Sequence, residues 1–297
     1  PIMLHESLDM NDAQVLGDLI ATELPNALVV ASIDFSHNLP SYVQEVHDDL
    51  VRRTLESGEY CIECAPLEID SNASLAAVMS FAEARGDQVW NETSHTNSLD
   101  LTQADWIDNT SHFTGYFSSG KAEQDDFAAL HFVGDIMLDR GTRLQLNEYG
   151  FEYPWEDMQR FLMGAHLRIG NLEGTVNEQA STYTYDPPFR FVFSPESVEM
   201  GEYIDLVSLA NNHTSDVGSA GQIETKERLT GMEIDWFGSY AEPQPRHDVS
   251  VNGIDLSIIG YHQFQPDEEG LVELIESADA EDRFVIAMPH WGTEDGY

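Results

Sequence analysis

The feature that most constrains the fold is an apolar run that stops abruptly at polar residues. Residues 204–209 have the composition of a buried strand, and Asn211, Asn212 and His213 follow almost directly. A segment with helical spacing, residues 221–229, comes next. A strand that ends in amide and imidazole side chains and leads into a helix places those side chains at the carboxyl edge of a sheet, where open α/β sheets bind ligands. The sequence therefore predicts an α/β fold with a site at this edge.

Three other apolar runs end on residues that can bind a metal. They close at Asp135, Glu173 and His290. Two carboxylates, the amide oxygen of Asn212 and the imidazole of His290 suit one or two divalent ions such as Mn, Zn, Fe or Mg. Two such ions can hold a phosphate and activate water to attack it. The four residues are therefore the predicted metal ligands.

Beside these ligands, His213 is the candidate proton donor to a leaving oxygen, and Asp216 is placed to orient its imidazole. Each ligand also allows a structural interpretation. Asp135 and Glu173 can be turn or loop carboxylates, Asn212 can occupy a left-handed turn position, and His290 can be a buried, hydrogen-bonded histidine. Four polar strand ends within one domain favour the site.

The amino-terminal part alternates helical and apolar segments, which also indicates α/β structure. Helices are expected over 13–24, 42–55 and 74–85, and residues 27–33 read as a buried parallel strand. That run ends in Asp34-Phe35-Ser36-His37. Asp34 and His37 are candidates for proton transfer or metal binding, while the alternative is a strand-end turn in which Asp and Ser cap the backbone.

The chain is strongly acidic, with 54 Asp and Glu residues against 13 Lys and Arg and a formal net charge of -41. Only Lys121 and Lys226 are lysines. Acid spread this evenly favours a surface adapted to high salt, where self-repulsion is screened; the alternative is a surface that binds cations. Either way, no nucleic-acid partner is expected and an anionic membrane is a poor partner, because neither offers positive charge.

No run reaches the roughly 18 apolar residues that a membrane span needs. The chain reads as an excerpt of a longer protein, since it opens as if within a strand and ends soon after His290. A cytoplasmic or envelope-associated location in a bacterium or archaeon fits, and the oligomeric state stays open. Cys61 and Cys64 form a single Cys-x-x-Cys, at most half a zinc site, for which a structural or incidental role is expected.

A polar, small and charged segment, residues 121–127, has the composition of a linker. It separates two predicted domains, residues 1–120 and 128–297.

The first domain resembles the Memo-like family, which includes AmmeMemoRadiSam system protein B. The resemblance rests on residues 29–37, Asp48, 67–71, 95–98 and 115–117. It implies the carboxyl-terminal half of an extradiol-dioxygenase-like α/β domain, with Asp34 and His37 beside a pocket.

The second domain resembles the CapA family of capsule and poly-γ-glutamate biosynthesis proteins. The motifs that carry the resemblance are Gly-Asp-Ile-Met at 134–137, Asn-Leu-Glu-Gly at 171–174, 210–218, 259–261 and His-Trp-Gly-Thr-Glu at 290–294. It implies a calcineurin-like metallophosphoesterase αββα sandwich, truncated at its carboxyl end. The same resemblance implies that Asp135, Glu173, Asn212 and His290 bind metal and that His213 is the acid.

Two departures from that pattern matter. Calcineurin-like enzymes commonly begin with Asp-x-His, whereas Met137 stands at the third position here. A closing Gly-x-His-x-His motif is expected downstream of this chain.

The leading hypothesis is a metal-dependent phosphoesterase in surface-polymer synthesis, acting on an anionic polymer precursor or a phosphoester. One alternative is a non-enzymatic subunit that handles or assembles the polymer. Another is a Memo-like protein of redox or radical-associated chemistry, with an auxiliary CapA-like domain.

Overall fold

The protein is mixed α/β, as the sequence predicts. The structure is a computed structural model that describes residues 2–4, 8–60, 67–102, 109–122, 127–156, 158–162, 164–178, 180, 190–201, 203–238, 245–264 and 266–292. Cys61 and Cys64 lie outside these residues. The chain forms two compact units, Pro1–Asp126 and Phe127–Tyr297. The first unit ends inside the segment whose composition is that of a linker.

The first unit combines helices with an antiparallel sheet of order β1-β3-β2. Its elements are α1 Met10–Glu23, β1 Phe35–Leu39, α2 Ser41–Ser57, α3 Asn72–Arg85, β2 Val89–Asn97, α4 Ser98–Thr102 and β3 Asn109–Ser118. Ser71 caps α3 by accepting from the backbone N–H of Ser74, and Gly86 ends this helix in the left-handed conformation. Helix α1 crosses α3 closely at Gly17, where an added Cβ would lie 2.3 Å from the carbonyl oxygen of Ala77.

The predicted strand at residues 27–33 is wrong. This segment has no strand pairing, and Leu28 and Val30 are 90% and 77% exposed. Its apolar side chains alternate between the unit's interior and solvent, so the run lacks the burial on both faces that a parallel strand requires. The strand begins only at Phe35, so Asp34 precedes it and His37 lies within it rather than at a strand end.

The second unit contains a parallel sheet of order β4-β5-β8-β9. The elements around this sheet are β4 Leu130–Ile136, α5 Arg140–Tyr149, α6 Tyr153–Glu156, α7 Gln159–Leu162, β5 Leu167–Leu172, β6 Thr175–Val176, β7 Val192–Phe193, β8 Leu206–Ser208, α8 Gly218–Gly231 and β9 Asp235–Phe237. A short 3-10 helix, Pro195–Val198, begins with proline at its first position. A buried cluster joins this sheet to its helices and includes Ile136, Leu146, Leu172, Val207 and Leu229.

A second sheet of the same unit has the order β10-β11-β12. It comprises β10 Arg246–Val251, β11 Ile254–His262 and β12 Phe284–His290, with α9 Glu268–Ala280 between the last two strands in sequence. Strands β10 and β11 form a hairpin that turns at Asn252-Gly253, a pair that favours such turns, and β12 runs parallel to β11. A second buried cluster contains residues from both sheets: Leu167, Ile169, Leu206, Phe237, Val251, Leu256 and Ile258. The two sheets therefore share a core.

Within the residues described above, no helix is both long enough and apolar enough to cross a bilayer.

Candidate metal and catalytic site

The carboxyl ends of four strands meet at one place in the second unit. Asp135 lies near the end of β4, Asn171 near the end of β5, and His290 ends β12. Glu173 follows β5, and the segment 211–213 follows β8. Because parallel neighbours end at the same edge, side chains distant in sequence become neighbours in space.

Asn171 joins the two sheets at this edge. Its Nδ2 donates to Oδ1 of Asp135 at 2.6 Å and lies 3.2 Å from Nδ1 of His290. Its own Oδ1 accepts from Asn211 Nδ2 at 3.0 Å, and both amides are almost fully buried. A buried amide with several partners fixes side-chain positions strongly, since losing one partner leaves a polar group unsatisfied.

His290 lies between the remaining candidate ligands. Its Nε2 is 2.9 Å from Oδ1 of Asn212 and 3.8 Å from Oε1 of Glu173, while its Nδ1 is 3.7 Å from Oδ1 of Asp135. If Nδ1 accepts from Asn171, Nε2 carries the proton that Asn212 accepts. The structure thus brings Asp135, Glu173, Asn212 and His290 together.

His213 occupies the next position along the site and is 8% exposed. Its Nδ1 lies 2.8 Å from Oδ2 of Asp216, and its Nε2 lies 3.9 Å from Oε1 of Glu173. The ring of Phe191 stacks on the imidazole with centroids 3.9 Å apart, and the Phe191 N–H donates to Asp216 at 2.7 Å. The imidazole is therefore held by a carboxylate at one nitrogen and by an aromatic face.

The histidines affect the charge of the site. The neighbouring imidazole of His290 is the largest influence that lowers the pKa of Asp135. Partial burial opposes this, while the hydrogen bond from Asn171 and the positive charges of His290 and His213 lower the pKa further. The carboxylate of Asp135 is therefore kept ionised, which is the state that a metal ligand needs.

The donor types fit a divalent cation, because carboxylate, amide oxygen and imidazole are all common ligands. Within the described part of the chain, however, no three His, Cys, Asp or Glu side chains are grouped so that they hold a metal by themselves. Asp135 lies beside Nδ1 of His290 and Glu173 lies beside Nε2, so the two carboxylates approach different nitrogens of one imidazole.

Four residues near the site were not predicted from the sequence to have a functional role: Asn171, Phe191, Arg140 and His262. Asn171 had a detectable signal, since it stands two residues before Glu173 and alternate residues of a strand share one face. Phe191 and Arg140 come from separate segments and had no such signal. They meet at the site because the guanidinium of Arg140 lies 4.4 Å from the centroid of the Phe191 ring.

His262 ends β11 beside His290 on β12 and is 3% exposed. Burial, with a smaller effect from the charge of His290, lowers its pKa from 6.5 to about 4. Between these values the unfolded chain binds the proton and the folded chain does not. The free energy of unfolding is therefore unaffected by this group above pH 6.5, and it decreases as the pH falls towards 4.

We expect the metal-free protein to lose up to about 3 kcal/mol of unfolding free energy from this group over that pH range. His262→Phe should flatten the decline, measured by denaturant unfolding at several pH values. His247→Phe, on the neighbouring strand β10, is the matched control and should keep the wild-type slope. Equal slopes in the His262→Phe variant and the wild type would contradict the assignment.

In the first unit, Asp34 and His37 have different neighbours. Asp34 Oδ1 lies 3.7 Å from Nδ1 of His112, and His37 Nδ1 lies 2.9 Å from Nδ2 of Asn38. Asp48 is the centre of a buried network and accepts hydrogen bonds from Ser36, Gln44 and Ser111, with His95 Nε2 at 2.8 Å from its Oδ2. A pocket role for Asp34 and His37 stays a prediction.

Comparison with known proteins identifies the second unit. The family model "Bacterial capsule synthesis protein PGA_cap" matches residues 129–297, more than half of the chain. The "PGA biosynthesis protein CapA" of Bacillus subtilis (strain 168) is 24% identical over 204 residues, 59% of this chain and 54% of the relative. The "Capsule biosynthesis protein CapA" of Bacillus anthracis is 23% identical over 168 residues, 54% of this chain and 40% of the relative.

The chain spans about half the length of these curated relatives or less. The comparisons support the CapA resemblance of the second unit at low identity. They give no support to the Memo-like resemblance of residues 1–120 or to the high-salt interpretation of the acidic surface.

Proposed function

The chain belongs to the bacterial capsule synthesis protein PGA_cap family, and from this premise we propose that its second unit is a metal-dependent phosphoesterase in the synthesis of an anionic surface polymer. Its fold would be the calcineurin-like sandwich of two sheets between helices. The observation that carries the proposal is the convergence of Asp135, Glu173, Asn212 and His290 at one edge, with His213 beside Glu173.

Asp135, Glu173, Asn212 and His290 would hold one or two divalent ions. A bound ion would supply positive charge that stabilises the negative charge developing on a phosphoryl group. Asn171 positions two of these ligands, because it contacts both Asp135 and His290. Its hydrogen bond to Asn211 ties the same pair to the segment that follows β8.

His213 would donate a proton from Nε2 to the leaving oxygen. Asp216 lies 2.8 Å from the opposite nitrogen and orients the imidazole, while the Phe191 ring keeps the imidazole plane in place. Burial of His213 excludes much of the water that would compete for its proton.

Metal content tests the proposal directly. We expect the full chain to bind about one or two equivalents of divalent metal and Asp135→Ala to lose most of it, because one ligand of the set is removed. Inductively coupled plasma mass spectrometry after gel filtration measures both. Asp255→Ala, an exposed carboxylate on β11, removes the same charge and should keep the wild-type content. Equal metal content in Asp135→Ala and wild type, or trivial metal in both, overturns the proposal.

A second candidate is a non-enzymatic subunit that binds the polymer. The contacts of His290 with Asn171 and Asn212 favour it, because these polar side chains already satisfy one another by hydrogen bonding. The net charge of -41 disfavours direct binding of a polyanion. A negligible metal content in both the wild type and Asp135→Ala would favour this second candidate.

A further inference from the structure

Arg140 has an unusual backbone conformation next to the site. It stands five residues after Asp135 and has φ of 52°, in the left-handed region that residues other than glycine rarely adopt. Asp139 stabilises this turn, since its carboxylate accepts from the backbone N–H of Arg140 at 2.6 Å and of Val192 at 2.9 Å. Such a conformation is strained in a non-glycine residue and often marks a functional position.

The side chain of Arg140 is placed against Phe191, one of the residues that hold His213. Its guanidinium lies 4.4 Å from the centroid of the Phe191 ring, a distance typical of cation–π contacts. The same Phe191 ring stacks on His213, and its N–H donates to Asp216. One aromatic residue therefore contacts both the cation and the candidate acid.

The surrounding negative charge gives a reason for a cation near this site. Asp135, Glu173 and Asp216 place three carboxylates around His213 and His290, on a chain that carries -41 overall. An anionic substrate that approaches them meets repulsion, which the guanidinium on the Phe191 ring would offset. Arginine suits this task because its planar fork binds carboxylate or phosphate through two parallel hydrogen bonds.

We propose that Arg140 is the anion-recognition residue of this site and that its guanidinium binds an oxyanion of the substrate while it rests on Phe191. The oxyanion belongs to a phosphoryl group or to a carboxylate. The inference deepens the proposed function of the site and names the substrate class as anionic.

Two probes distinguish the sources of the oxyanion: inorganic phosphate and a short glutamate oligomer. Isothermal titration of the full chain with each probe, with divalent metal present, gives the dissociation constants. We expect Arg140→Met to weaken at least one probe about tenfold or more, since a charge-assisted pair is lost. The probe that weakens identifies the group that Arg140 binds. Arg228→Met, which breaks an exposed ion pair with Glu178, is the matched control and should bind as the wild type does.

A second variant separates recognition from folding. Arg140→Gly removes the side chain but suits a φ of 52°, so its melting temperature should not fall while its anion affinity does. Where turnover is measurable, both variants should raise KM more than they lower kcat.

Affinities within twofold of the wild type in Arg140→Met, or no binding of either probe to the wild type, overturn the inference. The inference is also overturned if the melting temperature falls in both variants in proportion to the lost anion affinity, because that result indicates a structural role for Arg140. Arg140-dependent phosphate binding without metal content or hydrolysis would refute the proposed phosphoesterase and leave the anion site standing.

Discussion

His213→Ala is expected to lower kcat for phosphoester hydrolysis about 10²–10⁴-fold while metal content stays at the wild-type level. General acid catalysis by a positioned imidazole contributes rate enhancements of that size. Metal should remain, because His213 lies outside the four predicted ligands, with its Nε2 3.9 Å from Oε1 of Glu173. This combination separates the role of His213 from that of Asp135, whose loss removes both metal and turnover.

The leaving group supplies a sharper readout. The phenolate of an aryl phosphoester with an acidic phenol can leave without being protonated. The alkoxide of an alkyl phosphoester needs the proton of His213 in order to leave. The loss in His213→Ala should therefore be much larger for the alkyl substrate, in steady-state assays of the full chain with metal. His247→Ala, on β10, is the matched control and should leave both rates unchanged. Equal losses for both substrates would contradict a proton-donating role and indicate that His213 acts on binding or structure.

Several features of the site were predictable from the sequence because local rules place them. Each apolar run in the second unit forms a strand, and the polar residue at its end then lies at the carboxyl edge of a sheet. The contact between His213 and Asp216 follows from three-residue spacing within one turn-rich segment. Such short-range arrangements need no knowledge of the tertiary structure.

Other features depend on tertiary packing and could not be predicted. Phe191 reaches His213 only because the segment leading into β7 passes the loop after β8. The positive φ of Arg140 follows from the way Asp139 binds the backbone at Val192. In the same way, no local pattern shows that Asp135 and Glu173 face opposite nitrogens of His290.

The error at residues 27–33 has a different physical origin. A run of seven apolar or small residues satisfies the composition of a buried strand, but composition does not supply a neighbouring strand. Strand β3 is paired with β1 only at its beginning, through Ser111 and Asn109, and the segment before Phe35 continues without pairing. Hydrogen-bonded neighbours, which the sequence does not specify locally, decide whether such a run becomes a strand.

Phe237→Ala is expected to destabilise the second unit by about 3–5 kcal/mol, the range for removing a buried phenylalanine. Phe237 ends β9 and is completely buried in the cluster that joins both sheets. Its replacement would leave a cavity in a cluster that also contains Leu206 of one sheet and Ile258 of the other. Phe284→Ala, on β12, removes the same ring from a position that is 66% exposed and should cost well under about 1 kcal/mol.

Hydrogen exchange measured by mass spectrometry suits this test, because two compact units need not unfold in one step. Peptides covering β8 and β11 should lose protection together in Phe237→Ala, since one shared core stabilises both sheets. Loss confined to β9 would show that the sheets are stabilised independently.

The same variant connects the core to the site. Asp135 and Asn171 belong to the sheet β4-β5-β8-β9, whereas His290 belongs to the sheet β10-β11-β12. Their contacts therefore exist only while these two sheets keep their relative position. If these residues bind a metal, Phe237→Ala should weaken metal affinity although Phe237 is not among the predicted ligands, and Phe284→Ala should not. Unchanged affinity in a destabilised Phe237→Ala protein would mean that one sheet alone supplies the metal ligands.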